Sequence, residues 1–176
     1  MNEPSAADSR RRLSHRALEL RAFQRLLRAA HIDLRGKELL DAGCGNGFRL
    51  EQLAKTFKPV RLAGFDPVAA QIERAKRRNL NAELAVGDLA VIAQPDAAFD
   101  GVFVFAILHH LPGWRSALVE LGRVLRPGGV LLVETIQDAG FDLTQFMTAM
   151  ADAGLAIAGE QKLPGSPIRS FAAVKR

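Results

Sequence analysis

The chain has 176 residues, of which 48% are hydrophobic and 24% charged, and its net charge is +5. These values are typical of globular proteins, so they exclude disorder of the whole chain, and the length favours a single domain. The single cysteine, Cys44, excludes an intrachain disulfide. There is no zinc-ligand spacing, no secretory signal and no apolar run of about 18 residues that could cross a membrane, so we expect a cytoplasmic protein without a metal.

Most of the positive charge lies near the amino terminus. Residues 1–36 contain eight arginines and four acidic residues, a net +4 that leaves +1 for the rest of the chain. We expect residues 1–9 to be a disordered tail and residues 10–176 to be one domain, in which residues 10–35 form a helical lid. Within this lid a helix is predicted over residues 13–30, because Leu20, Phe23 and Leu27 recur at helical spacing. A basic arm can attract RNA by releasing counterions. However, no aromatic residue lies among the arginines of the tail, which favours a solvated tail.

After residue 36, predicted strands alternate with predicted helices. Strands are predicted at residues 38–41, 60–65, 81–86, 100–106, 130–134, 155–162 and 169–175. Helices are predicted after the glycine-rich turn 42–47, after residue 66, over 112–125 and over 142–153. This alternation indicates an α/β domain with a mostly parallel sheet covered by helices on both faces. No helix separates the last two strands, so they should form an antiparallel pair at one edge.

Two of these helices begin with capping signals. We expect Asp66 to cap its helix and Pro67 to take the first helical position, where no N–H is needed. Asp142, with Gln145 three residues later, resembles a capping box. The helix that follows should bury an apolar face and end at Gly154; the face consists of Leu143, Phe146, Met147 and Met150. Residues 127–129 are expected to form a turn before the fifth strand.

A glycine-rich segment directly follows the first predicted strand. In Asp41-Ala42-Gly43-Cys44-Gly45-Asn46-Gly47 the glycines occupy alternate positions, which allows a tight turn and a close approach to a ligand. The spacing differs from that of dinucleotide sites, and no Lys-Ser or Lys-Thr follows as in a phosphate-binding loop. Because the segment lies between a strand and a helix, it predicts a ligand site, in which Cys44 is a small filler and not a nucleophile.

Two further acids end the second and third strands. A carboxylate at Asp66 can accept both hydroxyls of a ribose, as acids at this place do in nucleotide-binding folds. Asp88 can accept the exocyclic amine of an adenine. The carboxyl ends of parallel strands meet at one edge of a sheet, so we expect these acids to lie close to the glycine-rich loop.

As a set, these segments resemble the class I S-adenosylmethionine-dependent methyltransferases, of the small-molecule type. LLDAGCGNG, GFDP, GD, FDGVFVFAILHHL and RVLRPGGVLLVE occur in the family's order and spacing, closely over about residues 36–134. The resemblance implies a Rossmann-like sheet of seven strands in the order 3-2-1-4-5-7-6, with strand 7 antiparallel. It also implies S-adenosylmethionine as cofactor and S-adenosylhomocysteine as product.

The resemblance also implies a role for each residue of the motifs. Asp41 and the loop formed by Gly43, Cys44, Gly45, Asn46 and Gly47 would hold the methionine end of the cofactor. Asp66 would hold the ribose, with Pro67 near the base, and Asp88 and Leu89 would frame the adenine. Phe105 and Ala106 would border the amino-acid part.

His109 and His110 follow the fourth strand, at the rim that faces the transferred methyl group. A histidine has an unperturbed pKa of about 6.5 and can act as a general base. Alternatively, the pair holds the loop through backbone hydrogen bonds. Two histidines without a third ligand do not indicate a metal site. Alignment of nucleophile, methyl and sulfur can supply much of the rate enhancement, so a base is needed only if the acceptor must lose a proton.

The sequence leaves the methyl acceptor open. A small molecule methylated at O, N or C is the main interpretation. RNA or protein bound by the basic arm is a second interpretation, and a non-catalytic cofactor-binding partner subunit is a third. Only about seven residues join the fifth strand to the next helix, so the acceptor side would be covered by the N-terminal helix, by a second subunit of a homodimer or by the substrate itself.

Overall fold

A computed structural model describes residues 20–136, 142–162 and 167–176. Seven strands form one sheet in the order β3-β2-β1-β4-β5-β7-β6. Their bounds are β1 Glu38–Ala42, β2 Arg61–Asp66, β3 Glu83–Val86, β4 Phe99–Phe105, β5 Leu125–Ile136, β6 Leu155–Lys162 and β7 Ile168–Lys175. Strands β1 to β5 are parallel, and β7 is antiparallel to both β5 and β6. The predicted fold class, strand order and antiparallel edge are therefore confirmed.

Five helices cover the two faces of the sheet. They are α1 over residues 20–29, α2 Phe48–Phe57, α3 Ala69–Lys76, α4 Trp114–Val124 and α5 Leu143–Asp152, with a short 3-10 turn at Leu108–His110. The predicted tail 1–9 and residues 10–19 of the predicted lid lie outside the described residues. In the described part of the chain, no helix combines the length and apolarity needed to cross a membrane.

The core has one layer on each face of the sheet. On one face, Phe23 of α1, Leu53 of α2 and Ile72 of α3 pack against the sheet. On the other face, Leu121 of α4 and Phe146 of α5 do the same. The central strand β4 is buried on both sides, since Val102, Phe103 and Val104 have no exposed surface. This is why its sequence is an unbroken apolar run.

The start of α3 differs from the prediction. The helix begins at Ala69 and its cap position is Val68, so Asp66 does not cap the helix and Pro67 is not its first residue. Instead, Asp66 Oδ1 accepts the Val68 N–H at 3.0 Å, which forms a tight turn before the helix. The other carboxylate oxygen of Asp66 accepts the Gly45 N–H of the glycine-rich loop, and the helix begins two residues later than predicted.

Two further predictions are wrong in part. Residues 127–129 do not form a turn before β5 but lie inside it, where pairing with β4 jumps from Phe99↔Leu125 to Gly101↔Val130. The extra residues bulge out, with Gly128 at φ 77°. Asp142 caps α5 as predicted, through the N–H groups of Thr144 and Gln145. However, Met147 is 40% exposed, because α5 buries only Phe146 and Met150 of the predicted face.

Candidate functional site

The glycine-rich loop lies where the sheet order reverses. β1 has β2 on one side and β4 on the other, so the carboxyl end of β1 opens a crevice between the two connections that leave it. The N–H groups of Gly43 and Cys44 both donate to Phe65 O at 2.9 Å, which fixes the loop to the end of β2. The loop therefore has a defined position above the strand ends.

The loop conformation requires glycine. Gly43, Gly45 and Gly47 have φ values of 83°, 54° and 76°, the left-handed region that other residues avoid. A Cβ on Gly43 would lie 2.0 Å from Ile107 Cδ1, and a Cβ on Gly47 would lie 2.9 Å from Ala75 Cβ. A Cβ on Gly45 would meet nothing within 4 Å. Two glycines thus allow close packing, and the third borders open space.

This open space is a cavity of about 310 Å³ at the carboxyl edge of the sheet. It is lined by Asp41, Gly43, Cys44, Gly45, Asn46, Phe48, Arg49, Gln71, Phe105 and Ala106. The predicted methionine-end residues, apart from Gly47, therefore lie around one space, together with Phe105 and Ala106 of β4 and its following turn. Cys44 is buried there, and burial raises the pKa of its thiol to about 12, so the thiol is protonated and unreactive near neutral pH.

Asp41 is the buried acid of this cavity. Its side chain is 1% exposed, and neither carboxylate oxygen has a hydrogen-bond partner among the described residues. Burial raises the pKa of Asp41 to about 7, an effect that the charge of Arg49 opposes and that of Asp66 reinforces. A cationic ligand group beside Asp41 would satisfy both oxygens and favour the charged form.

Arg49 supplies the opposite charge in the same cavity. Its guanidinium lies 3.9 Å from the centroid of the Phe105 ring, which holds the cation at the wall by a cation–π contact. Arg49 is the second residue of α2, so the positive end of the helix dipole lies beside it. The cavity thus contains a carboxyl group and a guanidinium, which can pair with the ammonium and the carboxylate of an amino acid. Sequence reasoning missed Arg49, although its position just after the glycine-rich loop was visible.

Asp66, the last residue of β2, is in contact with the glycine-rich loop. Asp66 Oδ2 accepts the Gly45 N–H at 3.0 Å, and its Oδ1 accepts from Val68 as described above. A carboxylate has about four acceptor positions, so each oxygen keeps the capacity to accept a hydroxyl group. Pro67, next to it, is exposed. Gln71 of α3 adds an acceptor that was not predicted, since its Oε1 is buried at the cavity without a partner in the described structure.

Of the two predicted adenine residues, Asp88 borders a second cavity of about 240 Å³ and Leu89 does not. Asp88 is exposed at the edge of this cavity and accepts the Ala90 N–H at 2.8 Å, and the next residue, Leu89, is buried. Apolar residues of β2 and β3, among them Phe65 and Ala85, line the cavity with Ile92. An exposed acceptor beside an apolar surface suits a flat ring that carries an amine.

Ala106 gives the β4 end an unusual backbone. Its φ is 52°, a conformation that costs a residue with a Cβ about 1–2 kcal/mol. The Ala106 N–H donates to Glu134 O at 3.0 Å, which ties this strained residue to β5. Strain of this kind is common where a turn must approach a ligand.

The histidine pair lies in the 3-10 turn that follows Ala106. The two rings are 3.9 Å apart between centroids, and His109 is partly buried while His110 is exposed. His109 Nδ1 accepts the Ile136 N–H at 3.4 Å, a weak bond that links the turn to the end of β5. This contact is the kind expected from the loop-holding alternative, and His110 is the more accessible of the two rings. Among the described residues, no group of three or more His, Cys, Asp or Glu is placed to hold a metal ion.

The chain is similar to known proteins in sequence and in fold. The family model described as "Methyltransferase domain" matches residues 40–133. The chain is 34% identical over 145 residues to a fatty-acid O-methyltransferase of Mycolicibacterium smegmatis, covering 81% of this chain and 53% of that protein. It is 31% identical to a malonyl-[acyl-carrier protein] O-methyltransferase of Serratia marcescens, covering 80% of this chain and 54% of the relative. The chain therefore spans about half the length of these curated relatives.

A solved structure shows the same fold over most of both chains. The crystal structure of a TehB-like SAM-dependent methyltransferase from Corynebacterium glutamicum superposes with a TM-score of 0.70. The alignment covers 91% of this chain and 99% of that chain at 25% identity.

Proposed function

Because the chain belongs to the class I S-adenosylmethionine-dependent methyltransferases, we propose that it transfers the sulfonium methyl group to a nucleophile of a small-molecule acceptor. The observation that carries this proposal is the cavity that brings the Asp41 carboxyl group and the Arg49 guanidinium together with the loop that Asp66 holds. S-adenosylmethionine has a zwitterionic amino-acid end, a ribose and an adenine, and the site offers a matching group for each. The fold alone would not justify the proposal, since one fold supports many functions.

Each residue of the site then has a role in binding. Asp41 accepts from the cofactor's ammonium, and Arg49 pairs with its carboxylate. Asp66 accepts the ribose hydroxyls while it holds Gly45 in place. The remaining contacts are the loop floor of Gly43, Cys44, Gly45, Asn46 and Gly47, the wall of Phe105 and Ala106, Pro67 beside the base, and Asp88 with Leu89 at the adenine.

The chemistry needs little from the protein beyond alignment. When bound, the cofactor supplies an electrophilic methyl group: the acceptor's electron pair forms the new bond to carbon, and the carbon–sulfur pair stays on sulfur as S-adenosylhomocysteine. The protein holds the two reactants in line and excludes water. We propose His110 as the base for acceptors that must lose a proton, with His109 supporting it through Ile136.

An oxygen nucleophile is the first acceptor class to test. The two relatives described above are named as O-methyltransferases, one for a fatty acid and one for malonyl-acyl-carrier protein. We propose that α1 forms the lid on the acceptor side. The ring centroids of Phe23 of α1 and Phe105 are 5.1 Å apart, and the Phe105 ring also contacts Arg49 in the cavity. Acids and alcohols with apolar chains are therefore the first compounds to screen.

Calorimetric titration of the purified protein with S-adenosylmethionine and with S-adenosylhomocysteine tests the proposal. Saturable binding at one site is expected, followed by methyl transfer to a member of the acceptor screen. Absence of binding by the folded protein would overturn the assignment. Binding without turnover on any small molecule would favour the partner-subunit interpretation. Turnover on RNA that falls steeply with salt, and falls in an Arg10–Arg12→Ala variant, would favour the basic-arm interpretation.

A further inference from the structure

The segment that joins β3 to β4 contains no helix. Residues 88–98 run from the proposed adenine residues, Asp88 and Leu89, back to the amino end of β4. An isolated bridge pairs Asp88 with Val91, and the next residue, Ile92, is 3% exposed. Without helical hydrogen bonds, the position of Asp88 depends on what holds the rest of this segment.

Arg123, near the end of α4, contacts this segment along its length. Its Nη2 donates to Ile92 O at 2.8 Å, and its Nη1 donates to Gln94 O at 2.9 Å and to Asp96 Oδ1 at 2.7 Å. The Arg123 backbone O also accepts the Ala97 N–H at 3.0 Å. One residue outside both cavities therefore fixes four residues of the connection.

Glu120, one turn earlier on α4, completes the contact. Both of its carboxylate oxygens accept from Arg123, at 2.7 and 2.8 Å, and Oε2 also accepts the Ile92 N–H at 2.8 Å. Together with the bonds to the segment, this uses all five N–H donors of the guanidinium. The hydrogen bonds to Glu120 and Asp96 raise the pKa of Arg123, and those to Arg123 lower the pKa of Glu120, so both stay charged near neutral pH.

From these contacts we infer that Arg123 and Glu120 are positioning residues for the adenine end of the cofactor. Both donor and acceptor of Ile92 are held from α4, four residues from Asp88. The segment of residues 88–98, held by Arg123 and Glu120, places the Asp88 carboxylate at the edge of the cavity. There the carboxylate would accept a hydrogen bond from the exocyclic amine of adenine. This inference rests on the proposed function, but it assigns nucleobase selectivity to residues that do not touch the ligand.

The test compares two ligands that differ at the base. S-adenosylhomocysteine carries the exocyclic amine, and S-inosylhomocysteine carries an oxygen in its place, which the Asp88 carboxylate should reject. The variants are Arg123→Lys, which replaces the planar fork by a single ammonium, and Glu120→Gln, which keeps the volume but removes the charge. We expect the dissociation constant for S-adenosylhomocysteine to rise about tenfold, as for the loss of one hydrogen bond. The preference of the protein for adenine over hypoxanthine, measured as the ratio of the two dissociation constants, should fall in the same variants.

Arg126→Lys is the matched control. Arg126 is also partly exposed and also bridges two acids, Glu38 at 3.1 Å and Asp100 at 2.9 Å, but these lie at the amino ends of β1 and β4, away from the cavities. The Arg126→Lys substitution should leave the preference for adenine over hypoxanthine unchanged. Circular dichroism and thermal unfolding verify that each variant is folded at the titration temperature. If Arg123→Lys is not folded, the titrations of Glu120→Gln provide the test.

Three results would contradict the inference or its premise. Folded variants that keep both the affinity and the base preference would overturn the inference and leave the proposed function intact. The same holds if Arg126→Lys reduces the preference as much as Arg123→Lys does, since the effect would then be general. If the wild-type protein binds neither ligand, the proposed function itself is overturned, and the inference with it.

Discussion

Asp66 Oδ2 accepts the backbone N–H of Gly45 at 3.0 Å, across 21 residues of sequence. This hydrogen bond joins the end of β2 to the glycine-rich loop that follows β1. The acid proposed to bind the ribose therefore also shapes the loop proposed to bind the methionine end. A substitution at Asp66 should affect both halves of the ligand.

The first prediction concerns this double role. Asp66→Ala removes the proposed acceptor for the ribose hydroxyls and leaves the Gly45 N–H without its partner. We expect the affinity for S-adenosylhomocysteine to fall by about 2–3 kcal/mol, or roughly 30- to 150-fold, since hydrogen bonds to charged groups are worth about 1.5–3 kcal/mol each. Calorimetric titration gives the value directly.

Glu73→Ala is the control for Asp66→Ala. Glu73 lies on α3 and pairs with Lys76 at the exposed surface, so its removal should leave the affinity unchanged. Unchanged affinity in a folded Asp66→Ala variant would show that the ribose site has been placed wrongly.

The sequence was sufficient to predict the strand order and the meeting of Asp41, Asp66 and the glycine-rich loop. The strand order was implied by the resemblance to the methyltransferase family, whereas the meeting of Asp41, Asp66 and the loop follows from local patterns and from the general rule that parallel strands bring their carboxyl ends to the same edge. The start of α3 was predicted wrongly, because it involves a contact between residues far apart in the sequence. Asp66 accepts the N–H groups of Gly45 and Val68 instead of capping α3, and the contact with Gly45, across 21 residues, leaves no local signal.

The arginines of the site could not be predicted in the same way. Arg49 stacks on Phe105 and Arg123 binds Ile92, in each case a partner from a distant strand or connection. In the sequence both are ordinary helix residues with a charge, the pattern of a solvated face. Only the packing of α2 and α4 on the sheet turns these side chains toward the loops that they contact.

The second prediction concerns the strained backbone at Ala106. Glycine adopts a φ of 52° without the steric cost that a Cβ imposes. Glycine also loses more conformational entropy on folding than alanine, which offsets part of the relieved strain. We therefore expect Ala106→Gly to gain up to about 1 kcal/mol of stability, or roughly 2–4 °C in Tm. Ala106→Val should be destabilised, since a β-branched residue fits this conformation worst. Thermal unfolding of both variants checks the opposite signs; a lower Tm for the glycine variant would contradict the argument.

The third prediction separates the two histidines. If His110 is the general base, His110→Gln should lower kcat by about 10²-fold and remove the acidic limb of the kcat/KM profile, with the affinity for S-adenosylhomocysteine unchanged. His109→Gln should keep this limb, because His109 contacts the backbone of Ile136. The pH profiles of both variants with an acceptor found in the screen provide the test. A limb that persists in His110→Gln and disappears in His109→Gln would reverse the assignment.

The fourth prediction links cofactor binding to protonation of Asp41. With a pKa of about 7, Asp41 is largely protonated at pH 6 in the free protein. The ammonium of the cofactor favours the carboxylate, so binding at pH 6 should release close to one proton. The affinity should rise about fivefold between pH 6 and 7, as the deprotonated fraction of free Asp41 rises from about a tenth to a half. Titrations in two buffers with different ionisation enthalpies count the protons. Asp41→Asn should bind more weakly and release none from this site.

The fifth prediction follows from the same pKa but concerns stability. The folded pKa of Asp41, about 7, lies above the unfolded value of about 3.9. Between these values the folded protein binds more protons than the unfolded chain, so its stability falls as pH rises from about 4 to 7. The loss is on the order of 4 kcal/mol at pH 8 if no other group compensates.

Asp41→Asn should escape this loss, because an amide stays neutral at every pH. We therefore expect the free variant to have a higher Tm than the wild-type protein at pH 8 and a similar Tm at pH 4, although it binds the cofactor more weakly. Asp33→Asn, at an exposed position, should show no such gain, since exposed ion pairs contribute little. If Asp41→Asn is less stable than the wild-type protein at pH 8, Asp41 is already charged and compensated in the free protein, and both the proton release and the stability argument fail together.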